Sequence, residues 1–171
     1  MPGHDTLIFR RVGYQDPDAA KLITEVQQEY VRRYGGEDDT PVDPADFEPP
    51  LGLFLVGYLD GVAVVCGGWR AHDATEPHFA DGDAEVKRMY VAPSARRRGF
   101  ARAVLRELER TAARRGRRRM ILETGTAQPE AIALYTSAGY ADVPKFGVYR
   151  DYPNCRCYGK TLAETDADGR T

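Results

Sequence analysis

Residues 84 to 101 read Ala-Glu-Val-Lys-Arg-Met-Tyr-Val-Ala-Pro-Ser-Ala-Arg-Arg-Arg-Gly-Phe-Ala, and this junction restricts the possible folds more than any other part of the chain. Ala84 to Val91 alternates apolar and charged side chains, as a strand does, and Pro93 stops it. From Gly99 onward, Ala101, Val104, Leu105, Leu108 and Ala112 draw one apolar helical face, which Gly116 ends. A strand leading through a short basic turn into a helix makes an anion site. The first-turn N–H groups have no intrahelical partner and carry the positive end of the helix dipole. Gly99 allows close approach of backbone to phosphate, and Ala101 keeps the next position small. Pyrophosphate is the natural guest. The Gly-Lys-Ser/Thr ending of a Walker loop is missing, and a single glycine does not make a dinucleotide fingerprint.

Charge supports a polyanionic partner for the same region. Residues 96 to 119 hold eleven arginines against Glu107 and Glu109, a local +9 in a chain whose net charge is −2. Residues 1 to 95 carry 17 acids against 8 bases, with Glu37, Asp38, Asp39, Asp43, Asp46 and Glu48 in one short stretch. Nucleic acid is one candidate for the arginine block. The block lacks the interleaved aromatics that stack on bases, however, and the acidic balance of the whole chain favours a small phosphorylated ligand.

The remaining pattern describes one domain, spanning 1–171 with its core from about 7 to 162. At 171 residues the chain can bury one core but hardly two, and 42% apolar with 29% charged residues excludes disordered and fibrous classes. No apolar run approaches the roughly 20 residues that span a bilayer, so no membrane partner is expected. Met1 to Arg11 lacks the pattern of a secretory signal, which makes a cytoplasmic address the expectation. Leu7 to Val12 is apolar enough for a first strand. Asp16 or Asp18 then caps a helix bearing Ala19, Leu22, Ile23, Val26 and Tyr30, stopped at Gly35-Gly36. The acidic stretch to Pro50, with four prolines, is loop or a broken short helix. Leu53 to Leu59 and Val62 to Trp69 flank Asp60-Gly61 as a hairpin. His72 to Asp83 reads as polar loop, Met120 to Glu123 as a strand, and Glu130 to Ala138 as a helix closed by Gly139. Two last β-prone segments follow, Phe146 to Arg150 and Cys155 to Leu162, before a polar tail from Glu164. The fold class is α/β on a mixed sheet.

The junction resembles the acetyl-CoA site of the GNAT superfamily of N-acetyltransferases. Their signature of Arg or Gln, two residues, Gly, one residue, and Gly or Ala is matched by Arg96, Gly99 and Ala101. Gln128-Pro-Glu-Ala131-Ile-Ala-Leu-Tyr135 resembles a second motif of that family, with Gln128 where Asn is more usual. The resemblance implies a mixed, mostly antiparallel sheet flanked by helices and splayed between its fourth and fifth strands. It also implies that pantetheine pairs with the free edge of the fourth strand. Acetyl-CoA would then meet Met89, Tyr90 and Val91, the turn and helix start formed by Arg96, Arg97, Arg98, Gly99, Phe100, Ala101 and Arg102, and Gln128 and Ala131.

The implied reaction is direct acetyl transfer to a primary amine of a small molecule or peptide. It requires a neutral nucleophile, a stabilised oxyanion and a proton for the departing thiolate. By resemblance the Val91 N–H polarises the thioester, Tyr135 returns the proton and Glu85 is the base, with Glu123 its rival. His72 and His78 lie in a loop that could overhang the acceptor, but lone loop histidines are usually solvated, and that is the expectation for both. The acidic Glu37 to Glu48 stretch, taken as a roof, would favour a cationic acceptor. Tyr30, Tyr34, Phe47 and Trp69 are candidates for its apolar lining. No metal is expected: Cys66, Cys155 and Cys157 lack metal-ligand spacing and read as reduced structural thiols. The competing readings are an acetyl-CoA sensor without turnover and nucleic-acid binding through the arginines. Exposed fourth and final strands make a homodimer conceivable.

Overall fold

A computed structural model describes residues 6–163, so the polar tail expected from Glu164 lies outside the described residues. Strand β1 (Ile8–Val12) leads into helix α1 (Pro17–Tyr34). The Asp16 carboxylate caps this helix by accepting from the N–H groups of Asp18 and Ala19, and Gly35 ends it in the left-handed region. The acidic stretch holds only a short 3-10 helix, Pro44–Phe47, capped by Asp43. Strands β2 (Gly52–Leu59) and β3 (Val62–His72) meet at Asp60-Gly61, where both residues have positive φ, as the tight hairpin turn requires. Next come β4 (Asp83–Val91), α2 (Phe100–Arg114), β5 (Arg119–Gly125), α3 (Pro129–Ser137), β6 (Ala141–Asp142) and β7 (Cys155–Thr161).

The sheet order is β1-β2-β3-β4-β5-β7-β6, antiparallel everywhere except β4–β5. Both faces of its centre are covered, which explains why β2 and β3 read as continuous apolar runs rather than alternating ones. Trp69 donates its indole N–H to the Thr111 hydroxyl of α2 on one face at 3.0 Å, while neighbouring Gly68 backs onto Phe47 and Phe54 on the other. Helix α3 is tied to α2 by Arg102, which donates to Ser137 at 2.6 Å, and Tyr140, just past α3, donates to Glu109 of α2 at 2.8 Å.

Three expectations need correction. The strand expected at Phe146 to Arg150 does not form; the short β6 at Ala141–Asp142 takes its place beside β7. Gly147 at φ 81° turns the chain out of extended geometry there, and Phe146 is buried against Ile121, Cys155 and Cys157. β4 lies between β3 and β5 with its edge free only past Glu85, and β7 is flanked by the short β6, so neither is the fully open edge that was expected. His72 is not solvated loop but the last residue of β3, 9% exposed and stacked on Phe79.

Candidate active site

The parallel pair β4–β5 is registered over only three positions, Asp83 to Glu85 against Arg119 to Ile121, although both strands run on well beyond them. Past Glu85 they diverge, giving the splay the resemblance implied. A bulge on the other side of β4 reinforces it: the β3–β4 register skips between Cys66 and Gly68, and Arg88 sits at φ 58°. Ala92 gives its N–H to the Val64 carbonyl of β3 at 2.8 Å. Because consecutive residues of a strand turn their N–H and C=O groups to opposite neighbours, the Val91 N–H and C=O point away from β3, into the gap. The Val91 carbonyl is met there by Arg96 Nε at 3.0 Å.

That gap opens into a cavity of about 1290 Å³. Its walls include Met89, Tyr90, Val91, Arg96, Arg97, Gly99, Phe100, Ala101, Arg102, Gln128, Ala131 and Tyr135, all expected from the sequence. Arg98 stands outside this lining, its guanidinium over the Phe100 ring at 5.7 Å. No side chain caps α2 among the described residues, in contrast to α1, so the first-turn N–H groups remain available to a ligand. Gly99 is at φ 78°, and a Cβ there would meet no atom within 4 Å, so its open side faces space of the kind a phosphate would fill. Arg97 at φ 64° completes the tight turn. The chain therefore fits the diphosphate of a CoA thioester. The rest of the arginine block is not one patch: Arg110 pairs with Glu107, Arg117 with Asp73 and Arg119 with Asp83.

Glu85, the expected base, is enclosed away from the cavity. It does not line the cavity, is 2% exposed, and its carboxylate accepts from Arg70 Nε at 3.0 Å and lies 2.9 Å from His72 Nε2. Burial alone would raise its pKa. The hydrogen bond from His72 and the nearby Lys87 and Arg70 outweigh burial and hold it at about 2. Glu123, the rival, does line the cavity, and its pKa is pushed up to about 7 by burial, with Glu85 and Asp38 adding to the shift against the pull of Lys87. Burial alone sets Tyr135 at about 12, so the phenol is neutral at physiological pH.

The acidic roof also differs from its expected role. Asp38 forms ion pairs with buried Lys87, at 3.0 Å, and with Arg88, and although burial opposes ionisation these two cations hold its pKa well below the usual carboxylate range. Asp43 is a cap and Asp46 pairs with Arg70 at 3.5 Å, leaving Glu37 and Asp39 as acids at the cavity wall. Tyr30 and Tyr34 line the cavity as expected, but Phe47 and Trp69 are core residues, 1% and 0% exposed. His78 lies in the exposed 73–78 stretch. Sequence reasoning missed Lys87, Arg88, Tyr149 and Cys155 in the lining. The Lys87-Arg88 pair beside a bulge carried no local signal. Tyr149 and Cys155 arrive from the segment misread as a strand and from its neighbour.

Comparisons agree with this geometry. Residues 21–140 match the family model described as Acetyltransferase (GNAT) family. An IAA acetyltransferase of Azospirillum brasilense is 35% identical over 146 residues, covering 85% of this chain and 91% of that protein. Among solved structures, a Klebsiella pneumoniae protein provisionally assigned as an acyl-CoA N-acyltransferase aligns with TM-score 0.74 and 26% identity, covering 93% of this chain and 99% of its own. The PaiA N-acetyltransferase of Thermoplasma acidophilum, solved with coenzyme A, shares the fold at TM-score 0.67 and 13% identity, over 92% and 99% of the two chains. The chain belongs to the GNAT acetyltransferase family, acyltransferases that use acetyl-CoA and act on amine acceptors.

Proposed function

We propose that this protein moves an acetyl group directly from acetyl-CoA to a primary amine of a small molecule or peptide, with Glu123 as base and Tyr135 as acid. The observation that carries the reading is the convergence, on one cavity, of the Val91 peptide turned into the strand gap, the uncapped α2 N-terminus and the neutral Tyr135. The turn from Arg96 to Ala101 binds the diphosphate through backbone N–H groups, helped by Arg97 and Arg102. The free edge of β4 orients pantetheine. The Val91 N–H donates to the thioester oxygen as it gains negative charge, a contribution of about 3 kcal/mol for one well-placed donor.

Glu123 removes a proton from the incoming amine. Tyr135 donates its phenolic proton to the departing thiolate and regains one from solvent or the acceptor. Tyr30 and Tyr34 with Glu37 and Asp39 frame the acceptor side. With Asp38 already neutralised by Lys87 and Arg88, the roof gives a cationic acceptor less attraction than its composition suggested. The test is release of free thiol from acetyl-CoA across a panel of primary amines, amino acids and peptides. At least one acceptor should raise release well above hydrolysis. Coenzyme A binding with no release for any acceptor would instead favour a sensor.

A further inference from the structure

Strands β5 and β7 place Glu123 directly opposite Cys157 and two positions from the partner of Cys155, so all three side chains share one face of the sheet. The Cys155 and Cys157 sulfurs are 3.9 Å apart, and Cys155 Sγ is 3.9 Å from Glu123 Oε2. All three donor atoms lie within 4.8 Å of one another. A zinc ion with Zn–S bonds of about 2.3 Å and tetrahedral angles holds two sulfurs roughly 3.8 Å apart, and a carboxylate oxygen roughly 3.6 Å from each. The sulfur–sulfur separation and that between Cys155 and Glu123 match these to within a few tenths of an ångström, and the third, within 4.8 Å, closes by rotation of the Glu123 carboxylate. Among the described residues no lysine or arginine forms an ion pair with Glu123. Its carboxylate is therefore free to act as a ligand.

We propose that Glu123, Cys155 and Cys157 form a binding site for one thiophilic divalent cation, with Zn²⁺ as its representative. Two Zn–S bonds and one Zn–O bond form, and each thiol gives its proton to solvent. Two sulfur donors select against Mg²⁺ and Ca²⁺, which require oxygen ligands. Glu123 and Cys155 line the cavity, which gives an ion access to the site. One consequence rests on the reading of Glu123 as base: a bound ion withholds that carboxylate from the acceptor amine and switches transfer off.

Co²⁺ titrated into the reduced full-length protein, without substrates, provides the test. A near-ultraviolet thiolate-to-cobalt band and visible bands of tetrahedral cobalt should saturate at one ion per chain and be displaced by Zn²⁺. Cys155→Ser and Cys157→Ala should each weaken binding at least tenfold, while Cys66→Ala, on the far side of the strand gap, should leave it unchanged. Retained coenzyme A binding by each variant establishes that it folds. Absence of the thiolate band at millimolar Co²⁺, or its survival when Cys155 and Cys157 are both replaced, overturns the site. Stoichiometric Zn²⁺ should lower acetyl transfer at least tenfold, reversibly on chelation and not in Cys157→Ala. Metal bound with transfer undiminished would overturn the switch, and with it Glu123 as base, while leaving the site standing.

Discussion

Glu85 and Glu123 sit on adjoining strands yet have opposite surroundings. Arg70 and His72 enclose Glu85, whereas Glu123 faces the cavity beside two thiols. Glu85→Gln should therefore act on stability: it leaves Arg70 and His72 without their carboxylate, at a cost of about 3 kcal/mol. For a chain of this size that is a fall of roughly 10 °C in Tm, measurable by calorimetry. Glu123→Gln should raise Tm at neutral pH, because burial disfavours the carboxylate it removes, yet lower kcat by about 100-fold or more, as expected for loss of a positioned base. Tyr135→Phe should lower kcat similarly while coenzyme A affinity, read by calorimetry, stays within about twofold. If Glu85→Gln folds normally but abolishes turnover, the two glutamates have been assigned the wrong way round.

At the scale of elements, the parallel pair β4–β5 is registered over three positions and then opens, and the uncapped α2 start fills the space beside the opening. Gly99→Glu tests this arrangement. A side chain there must adopt φ near 78°, at a cost of about 1 kcal/mol, and the carboxylate adds negative charge where phosphate belongs. Coenzyme A affinity should drop more than ~10-fold. Because a Cβ at 99 meets no protein atom, the fold itself should tolerate the change. Unaltered binding in a calorimetric titration would refute the cradle.

Across the whole molecule, ion pairs between residues far apart in sequence fasten the roof to the sheet, and the buried cluster of Glu85, Arg70 and His72 sets a pH window for stability. The folded pKa of Glu85, about 2, lies below its ordinary 4.5, so its contribution is complete above 4.5 and lost as pH falls toward 2. Burial pulls the pKa of His72 down, but its bonds to Glu85 and Glu76 raise it overall. Its contribution is therefore complete below 6.5 and lost as pH rises through the raised value. Urea midpoints measured from pH 2 to 9 should peak between about 4.5 and 6.5, with a steep acid limb. Glu85→Gln should flatten that limb, and an unchanged limb would assign acid sensitivity to other carboxylates.

The strand-turn-helix junction, the Asp60-Gly61 hairpin, the Asp16 and Gly35 caps and the Tyr135 helix were all legible in the sequence. Each depends on periodicity, φ preference or hydrogen bonds between residues a few positions apart. The segment Phe146 to Arg150 was misread for the complementary reason: its residues suit a strand, but Phe146 is drawn into a core made by β5 and β7, and Gly147 turns the chain. What only the tertiary structure decided were the roles of charge and sulfur. Asp38 meets Lys87 and Arg88 across 49 and 50 residues, and Cys155 meets Glu123 across 32. Protonation and ligand geometry depend on such through-space neighbours and on burial, which local sequence does not encode.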